Sequence, residues 1–245
     1  DSNMLVSTKS SDDDTVIGPA SKLAKLNEML KIELEPWLLK RLKGGSVQYF
    51  SPAWFRHANL NKELLNLRTG NALTVTAGNN INVNKQIDGR GSAITGGSAL
   101  LTASNNVNIN EDITTNNGSI SITASNGAIT QASNKQLRAG NGNISVTSAG
   151  NLTTGQYVTT GALNIQSTGG AVTIAEPIYE TVGQTAITAN SDVNINETIL
   201  NVRTLNSLSV NAGNDINVDA KIGQDRDAVT TTGAITMTAG NDITV

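Results

Sequence analysis

Cysteine is absent, histidine occurs once, aromatic residues make up 3% of the 245 positions, and Asp, Glu, Lys and Arg together make up 15%. Each scarcity excludes something. Without cysteine there are no disulfides and no thiolate metal sites, and a single His57 cannot build a conventional zinc site. Charged residues usually reach about 25% of a globular chain, so the surface here must be made largely of uncharged polar groups. The net charge is −3, and neither part of the chain is basic enough to suggest nucleic acid. No run approaches the ~18 apolar residues of a membrane span. The first residues also lack the basic and apolar regions of a signal peptide.

What is present is a repeat. Leu73-Thr-Val-Thr-Ala-Gly-Asn-Asn-Ile-Asn-Val83 returns as Leu101-Thr-Ala-Ser-Asn-Asn-Val-Asn-Ile109 and as Val210-Asn-Ala-Gly-Asn-Asp-Ile-Asn-Val218. Aligned on the first apolar residue after each Asn/Gly turn, the copies fall at Ile81, Val107, Ile129, Leu152, Val172, Val193, Ile216 and Ile243. Their mean spacing, about 23 residues, lies in the range of repeat architectures. Inside each copy apolar and polar residues alternate, the signature of half-buried strands. The corners carry Gly, Asn and Asp, which tolerate a left-handed backbone. Stacked parallel strands follow: an all-β fold, a parallel, right-handed β-helix of about eight turns. Asn79, Asn105, Asn126, Asn190, Asn214 and Asn241 occupy similar corners and are expected to stack as an amide ladder.

The chain divides near residue 70. Residues 1–20, with the acidic Ser10 to Asp14 run, are expected to be a flexible leader or a strand-donating segment. Residues 21–70 read as a helical, aromatic-rich cap. Leu23, Leu26, Leu30 and Leu34 form one helical stripe after the N-cap candidate Ser21, and Pro36 opens a second short helix running to Lys43. Lys40, Arg41 and Lys43 are favourable cations at that helix end. Ser46 to Phe50 suits a short strand, Ser51 to Phe55 a helical turn, and His57 a packing or surface role. Residues 71–245 form the repeats, which break off in mid-repeat at Val245. The chain is therefore expected to be a piece of a longer solenoid, or a unit whose open end stacks on another copy.

Among the repeats, the Val/Ile-Thr-Ala-Gly-Asn-(Asn/Asp)-Ile-Asn-Val pattern of residues 71–245 resembles large bacterial exoproteins of the two-partner secretion type, the filamentous-haemagglutinin-like adhesins. The Asn-Pro motifs of that family's secretion domain are missing, so the resemblance implies an internal piece. It implies a secreted, cell-surface structural or adhesive protein, including roles in biofilm. Its repetitive Asn/Thr-rich faces would contact host or bacterial glycans, proteins or matrix through many weak interactions. The alternative is an extracellular filament subunit stacking end to end through its open β-helix ends and N-terminal segment. Some members carry sugars on Asn-x-Ser/Thr sites; the matches here, at Asn117, Asn143, Asn151 and Asn196, are expected to be unmodified.

Enzymes also use β-helices, but their sites need clustered carboxylates. Asp88, Glu111, Asp112, Glu176, Glu180 and Asp219 are scattered, with only Asp88 and Glu111-Asp112 able to meet across adjacent turns. Asp215 and Asp242 do not make a calcium loop. Thr74/Thr76 and Thr236/Thr238 are similar to the rows of ice-binding solenoids, yet Asn164/Gln166 interrupts them. No catalytic, cofactor-binding or metal-ligating residue is expected, and no enzyme.

Overall fold

A computed structural model describes residues 47–50, 57–60, 64–65, 72–88, 97–179, 183–199, 207–223 and 234–245. The expected leader and both expected helices fall outside these residues, as does the Ser51–Phe55 turn. The described chain is an all-β solenoid of three parallel sheets, and it contains no helix.

The first sheet stacks nine strands: Val47–Phe50, Leu73–Ala77, Ala99–Ala103, Ile120–Ala124, Ile144–Ser148, Leu163–Ser167, Thr185–Ala189, Leu208–Ala212 and Ile235–Ala239. These number rungs 1 to 9. The second sheet also has nine: His57–Leu60, Asn80–Val83, Val107–Ile109, Ile129–Gln131, Leu152–Thr153, Val172–Ile174, Val193–Ile195, Ile216–Val218 and Ile243–Thr244. The third has six, on rungs 1 to 6: Leu64–Leu65, Ile87–Asp88, Ile113–Thr114, Gln136–Gly140, Gln156–Thr159 and Ile178–Tyr179. Single bridges from Ile178 to Ile199 and on to Ile222 carry it two rungs further.

The turn count differs from the expectation at both ends of the repeat. Six turns carry all three strands, and the first of them lies inside residues 21–70, where a helical cap was expected. Val47↔Leu73, Ala58↔Ile81 and Leu64↔Ile87 are in register, so this region extends the solenoid.

Elsewhere the sequence alignment is the structural register. Ile81, Val107, Ile129, Leu152, Val172, Val193, Ile216 and Ile243 form one continuous column. The first-to-second-sheet corner has nearly fixed length: eight positions from Leu73 to Ile81 and nine from Ile120 to Ile129. The return through the third side varies, from eleven positions between Leu152 and Leu163 to nineteen between Ile216 and Ile235. Length variation therefore sits on one side of the rod, leaving the other two regular.

Alternation places every second residue inside. Val75, Leu101, Ile122, Val146, Ile165, Ile187 and Val210 form a fully buried column. Where the first and second sheets converge, only small residues fit: Ala77, Ala103, Ala124, Ser148, Ser167, Ala189 and Ala212. The two buried serines are satisfied locally, both donating to the carbonyl of Gly150, at 2.7 and 2.6 Å. The opposite corner uses no side chain at all. A Cβ on Gly118 would lie 1.9 Å from the Gly97 carbonyl oxygen, and one on Gly142 would lie 2.3 Å from that of Gly118. Gly161 and Gly183 continue this spine of touching backbones.

Candidate functional site

The strands of the two nine-stranded sheets contain no Asp, Glu, Lys or Arg. Their outward positions form three rows. Thr74, Leu100, Ser121, Ser145, Asn164, Ala186, Ser209 and Thr236 are in register. Two residues further along each strand lie Thr76, Thr102, Thr123, Thr147, Gln166, Thr188, Asn211 and Thr238. The second sheet presents Asn59, Asn82, Asn108, Thr130, Thr153, Thr173, Asn194, Asn217 and Thr244. Rungs are about 4.8 Å apart, so each row is a straight file at that period, made of hydroxyl and amide groups except for Leu100 and Ala186 in the first.

Hydrogen bonds run along the second-sheet file. Asn82 donates Nδ2 to Asn59 Oδ1 at 2.7 Å, Asn108 to Asn82 at 2.7 Å, and Asn217 to Asn194 at 3.0 Å. The expected corner ladder is present at Asn105 to Asn79, 3.1 Å. Asn126 instead donates to the Ser104 carbonyl, Asn214 to Asp192 and Asn241 to Asp215.

A second device repeats at the corners: a side-chain oxygen accepts the backbone N–H of the next rung. Asn80 takes that of Asn106, Asn106 that of Ala128, Asn151 that of Ala171, and Asp192 that of Asp215. Ser98, Ser119 and Asn143 do the same before the first sheet. These bonds satisfy backbone donors that turn away from the strand ladders. Asn143 and Asn151, two of the four glycosylation-type asparagines, are thereby engaged through their Oδ1 atoms.

Among the described residues, charge lies at corners and on the third sheet. Glu111 accepts a bond from Lys135 Nζ at 2.8 Å, with both side chains about one-third exposed. That hydrogen bond raises the Lys135 pKa against a smaller opposing effect of desolvation. Asp112 Oδ1 accepts the Gln136 N–H at 2.8 Å. Glu111 and Asp112 are thus tied to the next rung, and Asp88 pairs through its backbone with Thr114. Glu176 and Asp219 stand at the corners of rungs 6 and 8, and Glu180 falls outside the described residues. Among the described residues no group of three His, Asp or Glu side chains is placed to hold a metal ion.

Several polar side chains are buried in the interior, among them Thr114, Thr154, Thr159 and Gln131. Gln131, 3% exposed, is in register with Ile109, in a column that also holds Val83. Its Nε2 donates to the Lys135 carbonyl at 2.7 Å, but its Oε1 has no partner. The Lys135 carbonyl also accepts the Gln156 N–H at 2.9 Å, so losing Gln131 does not orphan it. Removing an unpaired buried acceptor relieves about 1–3 kcal/mol. Gln131→Leu is accordingly expected to stabilise the protein by about 1 kcal/mol, read as a higher denaturant midpoint. A lower midpoint would mean that Oε1 is paired in solution.

Tyr157 is fully buried, and burial pushes its pKa well above the ordinary value of 10. The folded chain therefore holds the proton where the unfolded chain releases it. This contribution is intact below pH 10 and falls as pH rises beyond it, by up to about 1.4 kcal/mol per pH unit. Tyr157→Phe is expected to flatten the loss of stability between pH 10 and 11.5 in denaturant titrations. An unchanged slope would place the alkaline sensitivity elsewhere.

Comparison of the chain with known protein families, curated proteins and solved structures finds no match. No helix among the described residues is long and apolar enough to cross a membrane.

Proposed function

We propose that this chain is a rod-like segment of a secreted bacterial surface protein with a structural and adhesive role. It would belong with the filamentous-haemagglutinin-like exoproteins of the two-partner type that its repeats resemble. One observation carries the reading: both long sheets expose rows made mostly of uncharged Asn, Thr, Ser and Gln in register, and their strands carry no charged residue. Such faces offer many equivalent weak contacts, whose strength comes from multiplicity. The tethered Glu111 and Asp112 argue against catalysis.

A second reading is end-to-end stacking into a filament, in which the in-register rungs of one copy would continue on the next. Electron microscopy of the purified protein separates the two: long filaments favour stacking, separate short rods the adhesive segment.

The adhesive reading is tested by binding of the protein to bacterial and epithelial cells. Thr123→Glu with Thr147→Glu, and the same pair changed to Lys, are both expected to weaken binding about tenfold. Opposite effects of the two signs would indicate charge-driven adsorption, and absence of wild-type binding to any cell would refute the reading.

A further inference from the structure

The corner of rung 4 carries one residue more than those directly below and above it. Eight positions separate Ala99 from Val107 on rung 3 and Ile144 from Leu152 on rung 5, but nine separate Ile120 from Ile129 on rung 4. On rung 3 the backbone donors of the corner are all engaged: Ser104 with Ala77 O, Asn105 with Asn79 O, Asn106 with Asn80 Oδ1 and Val107 with Ala128 O. On rung 4, Ser125 donates to Ala103 O, Asn126 to Ser104 O, Ala128 to Asn106 Oδ1 and Ile129 to Asn151 O. The Gly127 N–H is left over, with no acceptor among the described residues. An unpaired backbone donor in a packed corner is rare.

Gly127 is fixed there by packing, because a Cβ would run into Asn106 Oδ1 and the Asn105 backbone of rung 3. The residue before it, Asn126, is exposed. An unpaired nitrogen therefore follows directly on a solvent-reached carboxamide, and Gly127 has no side chain to shield it.

Three Asn-Gly pairs occur in the chain, at 117–118, 126–127 and 141–142, and the fold treats them differently. The Gly142 N–H donates to Ala139 O at 2.9 Å, and Asn141 Oδ1 accepts the Thr160 hydroxyl at 2.7 Å. Asn117 is tied at both ends, its Oδ1 to the Asn141 N–H at 3.0 Å and its Nδ2 to Asn116 at 3.5 Å. The Asn126 carboxamide makes one bond, Nδ2 to Ser104 O at 2.9 Å, and shares that carbonyl with its own backbone N–H at 3.0 Å.

We propose that Asn126–Gly127 is a self-modifying site, where the folded chain converts Asn126 to aspartate and isoaspartate through a cyclic imide. The Gly127 nitrogen attacks Asn126 Cγ. The new C–N bond forms as the Cγ–Nδ2 bond breaks, and the Gly127 proton balances the departing amide, which leaves as ammonia. Water then opens the imide at either carbonyl. Residues 116–134 carry no charge, so the product sets a single carboxylate between the two long sheets. Isoaspartate also adds a main-chain carbon to a corner already longer than its neighbours. The inference does not depend on the adhesive reading.

The intact chain is incubated in mildly alkaline buffer, folded and, in parallel, denatured in guanidinium chloride. Digests made at low pH are followed by mass spectrometry, with chromatography separating the two acids. In the denatured chain the three pairs are expected to react at similar rates. In the folded chain Asn126 is expected to react about tenfold faster than Asn117 or Asn141, each of which must break one hydrogen bond more. Equal rates in the folded chain, a lead by Asn117 or Asn141, or no reaction at Asn126 while the denatured chain converts would each overturn the proposal. Asn126→Gln, whose longer side chain would have to close a six-membered ring, is expected to leave this corner unreacted. Acid formed at the wild-type rate in the same peptide of that variant would place the reaction at another residue, and would also overturn it.

Discussion

Ile122→Asp is expected to abolish the cooperative fold. Ile122 is wholly buried, with Leu101 below it on rung 3 and Val146 above it on rung 5. A carboxylate there finds no partner in an apolar column, and its desolvation costs several kcal/mol after relaxation. Losing the isoleucine adds about 2–5 kcal/mol, the usual range for large-to-small core changes. Together these consume most of a typical folding stability of 5–15 kcal/mol. In a stack each rung is stabilised by its two neighbours, so a break at rung 4 also strips rungs 3 and 5 of a packed face. Far-ultraviolet circular dichroism during a denaturant titration should show no cooperative transition. Ile122→Val, which keeps the packing, should cost about 0.5–1.5 kcal/mol. A wild-type midpoint for the aspartate variant would mean that this column is not the core.

The second large effect is expected at a residue with no side chain. Gly118→Ala places a methyl group 1.9 Å from the Gly97 carbonyl oxygen, 2.4 Å from its carbon and 2.8 Å from the Ser98 nitrogen. All three are backbone atoms in a hydrogen-bonded stack, where Ala99 N–H donates to Ser119 O at 2.9 Å, so none can swing aside as a rotamer would. Overpacking costs typically 1–3 kcal/mol and sometimes more; rung separation here puts the loss at about 3 kcal/mol or above. Gly150→Ala is the matched control, because its nearest backbone atom lies at 3.2 Å and can yield slightly. Equal midpoints for the two variants would contradict the glycine spine.

Much of this architecture was legible as period two nested in a period near 23. The column from Ile81 to Ile243 could be aligned because each copy has a Gly/Asn corner before it, and the corner length hardly varies. Rung 1 was legible only as an isolated strand at Val47–Phe50: that strand is followed by proline and tryptophan instead of a Gly/Asn corner, and His57-Ala-Asn-Leu60 has only alanine and leucine to alternate. The third sheet was hidden because strands such as Ile113–Thr114 and Ile178–Tyr179 are two residues long, too short to display a period.

The amide ladders were half visible. The Asn79–Asn105 contact was expected from corner position, whereas the file Asn59–Asn82–Asn108 was not. Alternation tells that an asparagine faces outward; only register tells which asparagine it meets. Register also shows what only the fold could: Lys135, one rung above Glu111, makes a salt bridge with it. The glycine spine passed as turn punctuation because Gly97, Gly118, Gly142, Gly161 and Gly183 are separated by irregular intervals that only the third side explains.

Neighbouring rungs stack in a fixed register, and the absence of native cysteine allows a direct chemical test of it. Thr123 and Thr147 are lateral partners in the first sheet, about 4.8 Å apart at Cα, within disulfide reach. Thr123 and Ser145 are offset by two residues, which is about 8 Å and beyond that reach. Oxidation of the variant Thr123→Cys/Thr147→Cys should give a near-complete intramolecular disulfide, read by mass after alkylation, and Thr123→Cys/Ser145→Cys should stay reduced. A disulfide in the offset pair and none in the lateral pair would contradict the register, and with it the rows on which the functional reading stands.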